Sequence, residues 1–197
     1  MSIEQAVAFL AFATVAAITP GPSNTMLTAT GAAVGLTRGL RCLVGVASGM
    51  AAMMFAAACG LGAIVLGYPT LLMAFKAAGV VFLLWLAWKI ASAPVGELSA
   101  GGRPVSFVEA FAFQWLNPKS WLVSTSAAGT YLQADMHVVA QGAWIAGLFF
   151  VVALTCGFVW LAFGVGMRRL LASPRRQRAF NIVMGALLAA SVLLFVT

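Results

Sequence analysis

Charge is scarce in this sequence, and acidic charge scarcest of all: four Asp and Glu stand against eleven Lys and Arg, and 8% of the 197 residues are charged. A soluble domain carries about 25% charged residues to cover its water-facing surface, so a soluble fold is excluded. Histidine is reduced to a single residue, His137, which excludes a His-based metal cluster. The three cysteines, Cys42, Cys59 and Cys156, lie in or beside apolar segments at no metal-ligand spacing and read as small core residues. A basic leader is missing: Met1-Ser2-Ile3-Glu4 has no positive n-region, so the first apolar run is expected to stay in the membrane. There is no HExxH, no Gly-x-Ser-x-Gly and no carboxylate pair at depth, which argues against an intramembrane enzyme. No catalytic residue, metal or cofactor is assigned.

What is there is apolar. Hydrophobic residues make up 63% of the chain and the mean hydropathy is +1.04. A helix of about 20 apolar residues crosses a ~30 Å hydrocarbon core, whereas a β-barrel shows ~10-residue alternating segments. Unbroken runs such as 47–66 do not alternate, so the expected class is an all-α membrane protein. Six spans fit, from about Ile3 to Leu36, Leu40 to Gly67, Tyr68 to Ile90, Val105 to Ala134, Val138 to Met167 and Phe180 to Val196. Residues 1–197 form one transmembrane domain, with a first repeat at 1–92, a polar Gly/Pro-containing loop at 93–104 and a second repeat at 105–197.

The net charge of +7 does not point to nucleic acid, because the cations are not interleaved with aromatics on a solvated face. They sit in short gaps. Arg38 and Arg41 follow the first span, Lys89 and Arg103 flank the central loop, and Arg168, Arg169, Arg175, Arg176 and Arg178 separate spans five and six. The alternate gaps, Tyr68-Pro69-Thr70 and Asp135-Met136-His137, hold no Lys or Arg. Basic loops stay in the cytoplasm, so both termini are expected on the outer, periplasmic side. The five-arginine cluster could also meet anionic lipid. Asp135 and His137 read as solvated loop residues and Lys76 as snorkelling. Gly31, Gly35, Gly39, Gly45 and Gly49 recur at small-xxx-small spacing, which lets helices approach closely. Trp85 and Trp88 beside Lys89 fit an interfacial aromatic belt.

Two spans are interrupted. The first is about 34 residues, or ~51 Å as straight helix, and Thr19-Pro20-Gly21-Pro22-Ser23-Asn24 falls near its centre. Two prolines remove backbone donors there, and Gly21 between them is free to adopt almost any φ/ψ. Gln114-Trp115-Leu116-Asn117-Pro118-Lys119 lies near the middle of the fourth span, with Lys119 roughly 21 Å from its cytoplasmic end by helical rise. A cation at that depth marks a pathway or site. Irregular backbone inside a membrane must be buried in protein or line a wet cavity. An odd number of spans per half inverts the second half. Paired proline-interrupted segments in inverted repeats point to a midplane binding site. The fold expected is therefore two inverted three-helix repeats with helices 1 and 4 broken by proline.

At Thr19-Pro20-Gly21-Pro22, the glycine stretch through Gly49, Leu84-Trp85-Leu86-Ala87-Trp88-Lys89 and Asn117-Pro118-Lys119, the chain resembles the LysE/RhtB family of amino-acid exporters along essentially its whole length. The Trp-Leu-Ala-Trp-Lys-Ile run and Pro104-Val105-Ser106-Phe107 are most similar to its cysteine/O-acetylserine-exporting subgroup. The resemblance implies a multi-pass inner-membrane exporter driven by the proton-motive force. It transfers a site role to Pro20, Gly21, Pro22, Asn24, Asn117, Pro118 and Lys119, to which the interrupted segments add Thr19 and Gln114. Two positions depart from the family: Ser23 replaces an Asn or Asp, and Ala110 a glycine.

A zwitterionic cargo needs both charges answered. Amides that open the half-helices after Pro22 or Pro118 suit the carboxylate, and Lys119 adds positive charge. Freed carbonyls and the Asn24 or Asn117 side-chain oxygens suit the ammonium. Proton coupling falls to Glu109 or Lys119. The expected partners are a small zwitterion and the lipid bilayer, with a homodimer left open. A passive channel or structural subunit is the alternative reading.

Overall fold

The computed structural model describes residues 2–93, 105–133, 137–171, 173–190 and 192. Most of the central loop, with Arg103, and the loop residue Asp135 lie outside them, as do the side chains of Lys76, Arg168 and Arg169. Every regular element among the described residues is a helix.

Helix α1 (Ile3–Ile18) opens on a capping box in which Ser2 and Gln5 bond reciprocally. It stops where Pro20 and Pro22 withhold the next amides. Pro22 then stands at the first position of α2 (Pro22–Ala58), where a missing N–H costs nothing. Gly35 lies inside α2 with φ 80° and ψ −176°, a conformation that L side chains rarely adopt. It folds α2 into two legs, 22–34 and 36–58.

The contacts of α7 (Val138–Leu170) show that the legs are antiparallel. Leu27 and Leu43 both pack on Gly157, and Gly31 and Gly39 both pack on Leu161. Each pair is symmetric about Gly35. Gly35 therefore makes the turn, while Gly31, Gly39, Gly45 and Gly49 do the close packing expected of the whole stripe. Gly45 sits against Phe107 and Ala110 of α5 (Phe107–Leu116), and Gly49 against Phe111 and Gln114. The rising numbers on both sides make the second leg of α2 parallel to α5.

Helix α3 (Leu61–Gly67) follows a break at Cys59-Gly60, where Gly60 has φ 100°. Helix α4 (Pro69–Ala91) packs on α8 (Pro174–Ala190), with Gly185 against Ala87 and Ala91. The last helix begins six residues before the expected start at Phe180. Ser173 accepts from the Arg176 amide and Pro174 opens the helix, so three arginines sit on its first turns rather than in a loop. Helix α6 (Pro118–Tyr131) starts at the second interruption.

The interior is two apolar clusters. One gathers Met26, Leu43, Val46, Phe113 and Leu161; the other gathers Phe9, Met54, Val123, Ile145 and Phe149. The exterior is apolar too. Val81, Trp88, Val108, Leu122 and Trp144 are each about two-thirds exposed, as befits a surface that meets hydrocarbon rather than water. Among the described residues two helices, Pro22–Ala58 and Val138–Met167, are long and apolar enough to cross a membrane.

Candidate functional site

The two interruptions meet at the seam between the apolar clusters. Helix α1 runs antiparallel to α6: Phe9 stacks edge-on against Tyr131 and the Tyr131 hydroxyl donates to the Ala8 carbonyl at one end. At the other end the Lys119 ammonium donates to the Thr19 carbonyl. Ten positions on the α1 side (Phe9 to Thr19) and twelve on α6 (Lys119 to Tyr131) separate these contacts, so the pairing is lengthwise.

Each missing amide leaves a carbonyl that needs another donor. At the first interruption Ile18 O, whose helical donor would be Pro22, accepts instead from the Trp160 indole at 3.2 Å. Asn24 reaches back and donates its amide to Ala17 O (3.0 Å) and Thr19 O (2.8 Å). The start of α2 is different. No side chain caps it, and the first of its amides to find a backbone acceptor is Thr25 N–H, bonded to Gly21 O at 2.9 Å. The Gly21, Ser23 and Asn24 amides carry no acceptor among the described residues.

The second interruption is closed. Asn117 Oδ1 accepts from the Lys119 amide at 3.1 Å, Asn117 O accepts from Ser120 and Trp121, and the Trp121 indole donates to Trp115 O at 2.7 Å. Of the two helix starts offered for a carboxylate, that of α6 is thus closed, and that of α2 keeps amides without an acceptor among the described residues.

A polar network joins them. The fully buried Gln114 accepts through Oε1 from Ser23 Oγ (2.9 Å) and Ser120 Oγ (3.1 Å), and donates to Ala110 O. Asn117 Nδ2 donates to Ser23 Oγ at 3.1 Å. Ser23, Asn117, Ser120 and Lys119 border a cavity of about 50 Å³, walled on its apolar sides by Val46, Met50 and Phe149, with Gln114 bonded behind the two serines. One water needs about 10–15 Å³, so the cavity takes a few water-sized groups.

Gly21 has φ −174°, extended backbone open to any residue. Glycine matters here for space, not conformation: a Cβ would lie 3.0 Å from Lys119 Cδ.

Of the residues singled out from sequence, Thr19, Gly21, Asn24, Gln114, Asn117 and Lys119 come together. Pro22 and Pro118 open their helices and Pro20 is exposed. Glu109 stands apart, closing a capping box with Ser106 at the start of α5 and pairing with Lys89 at 3.7 Å. Sequence reasoning missed Ser23 and Ser120 as members of the network. Ser120 lies three residues after Asn117, on the same helical face, which was the available signal; Trp160 comes from α7 and left none.

The LysE type translocator model matches residues 14–197. The cysteine/O-acetylserine efflux proteins of Escherichia coli (strain K12) and Shigella sonnei (strain Ss046) are each 30% identical to the chain over 184 residues, 92% of both sequences. The protein of the same name from Escherichia coli O1:K1 matches at the same identity and coverage. No solved structure matches. A match over nearly the whole chain, to relatives of equal length, places this protein in the LysE type translocator family of membrane transporters, not among the enzymes.

Proposed function

We propose that the protein is a secondary carrier that exports amino acids or close derivatives from the cytoplasm across the inner membrane. Its cargo site is the cluster of Thr19, Gly21, Asn24, Gln114, Asn117 and Lys119, with Ser23 and Ser120 added. Six spans carry the site: α1 with the first leg of α2, the second leg with α3, then α4, α5 with α6, α7 and α8. They form two inverted three-helix repeats, with both termini outside. The antiparallel course of α1 and α6 supports the inversion. The basic residues near Gly35, at Lys89 and around Ser173 support the orientation.

The observation that carries this reading is the uncapped start of α2 beside the Lys119 ammonium, opposite the Thr19 carbonyl. Free amides at a helix start and an ammonium attract a carboxylate; a carbonyl turned inward accepts from an ammonium. An α-amino acid presents both groups on one carbon. The relatives' names point to cysteine and O-acetylserine as the first cargoes to try.

Export is coupled to the proton gradient through Lys119 at the site or Glu109 at the cytoplasmic end of α5. In proteoliposomes the protein accumulates cysteine against its gradient only when a pH gradient is imposed. Transport that ignores the pH gradient removes the coupling, and linear, non-saturable flux makes the protein a channel. Glu109→Gln with unchanged gradient dependence assigns the proton to Lys119.

A further inference from the structure

We infer that Lys119 is a resident occupant of the ammonium subsite, so that cargo is loaded by exchanging one ammonium for another and only molecules bearing both a free amino group and a carboxylate are carried. The inference rests on the export reading and names the class of cargo that the site selects.

Two positive features face each other here without an anion. The half-buried Lys119 lies over Gly21, with its stem close enough that a Cβ there would crowd Cδ and Nζ. Gly21 stands at the open start of α2, the positive end of the helix dipole. No carboxylate among the described residues stands within ion-pair distance of Lys119; the ion pair formed by Glu109 is with Lys89. A partly desolvated ammonium beside free amides is costly until an anion joins them. The positive face that Lys119 and the start of α2 present can therefore receive a carboxylate.

The Thr19 carbonyl shows what the other half of the site accepts. It already holds an ammonium, that of Lys119, while Asn24 Nδ2 fixes its direction at 2.8 Å. A cargo amino group can replace Nζ at Thr19 O, and Nζ then turns to the cargo carboxylate together with the α2 amides. Both ammonium groups end with a partner and the net charge of the site is unchanged. An amine lacking the carboxylate brings a second cation against the first, and nothing receives the displaced Nζ. An acid lacking the amine draws Nζ away and leaves Thr19 O with Asn24 Nδ2 alone and no cation. Only the zwitterion completes the exchange.

Reconstituted full-length protein, loaded with unlabelled amino acid, is assayed by counterflow of the labelled one. For cysteine the competitors are cysteamine, which lacks the carboxylate, and mercaptopropionate, which lacks the amine. Wild type is expected to be competed by cysteine and by neither analogue at about tenfold excess. Lys119→Met loses the carboxylate partner and vacates Thr19 O, so cysteine weakens by about tenfold or more while cysteamine gains relative to it. Lys119→Arg keeps the preference for the zwitterion. Cysteamine competing as well as cysteine in wild type overturns the exchange, a result that needs no variant to fold. Equal weakening of both ligands in Lys119→Met overturns it as well. Wild type that exchanges none of the standard amino acids overturns the export reading itself.

Discussion

Lys119 Nζ lies 2.5 Å from the Thr19 carbonyl oxygen, a hydrogen bond that ties the two interrupted segments together across a hundred positions of sequence. Its geometry depends on a neighbour that contributes no side chain. Gly21 leaves the space through which the Lys119 stem passes, and its extended φ of −174° tolerates any residue. Gly21→Ala is therefore expected to fold normally while its Cβ displaces the Lys119 side chain. Cysteine transport should fall by about tenfold, the cost of one misplaced charge-assisted bond, with a melting temperature in detergent close to wild type. Loss of folded protein would show that Gly21 is needed for the backbone instead.

Gln114 is the hub of the site's polar network and is fully buried. Its side chain partners Ser23, Ser120 and the Ala110 carbonyl. Gln114→Leu fills similar space but removes three hydrogen bonds, takes from Ser120 its one described partner and leaves Ser23 with Asn117 alone, at about 1–3 kcal/mol for each buried group left unsatisfied. A clear fall in thermal stability is expected together with loss of transport. An unchanged melting temperature would mean that water fills in for the amide.

How far the site was legible depends on which physical rule each residue breaks. Prolines announce themselves because a missing N–H cannot be hidden, and Lys119 because a cation ~21 Å into a span lies too deep to snorkel readily, unlike Lys76. Asn24 and Asn117 stood out as amides beside those prolines. Ser23 and Ser120 did not, since a serine on a helix more often bonds its own backbone than a distant glutamine. The inequality of the two helix starts also stayed hidden: whether Asn117 caps its helix or Asn24 reaches backward is decided by side-chain rotamers. Gly35 shares its spacing with Gly31 and Gly39, so only its positive φ distinguishes the turn from the packing stripe. The start of α8 was placed late because apolar onset was followed instead of Ser173-Pro174.

The close packing of α7 gives a paired test. A Cβ at Gly164 would collide with the Thr28 backbone carbonyl, whereas at Gly166 it would meet nothing within 4 Å. Overpacking a rigid contact costs about 1–3 kcal/mol, and neither backbone here is free to yield. Gly164→Ala should lower the yield of folded protein and its melting temperature, while Gly166→Ala matches wild type. Equal behaviour of the two would mean that α7 does not seat against the first leg of α2.

Ser124 presents the opposite case, a buried group whose removal should help. It lies one turn beyond Ser120 on α6, fully buried, and its hydroxyl has no hydrogen-bond partner among the described residues. Such a group costs about 1–3 kcal/mol in desolvation that nothing returns. Ser124→Ala removes the hydroxyl and leaves only a void smaller than a methyl group, so the melting temperature should hold or rise. Transport should be unaffected if the hydroxyl is idle, because of these two α6 serines it is Ser120 that bonds Gln114. A variant that is more stable but slower would show that Ser124 finds its partner in another state of the transport cycle, as a polar step between the site and the Phe9–Tyr131 contact of α1 and α6.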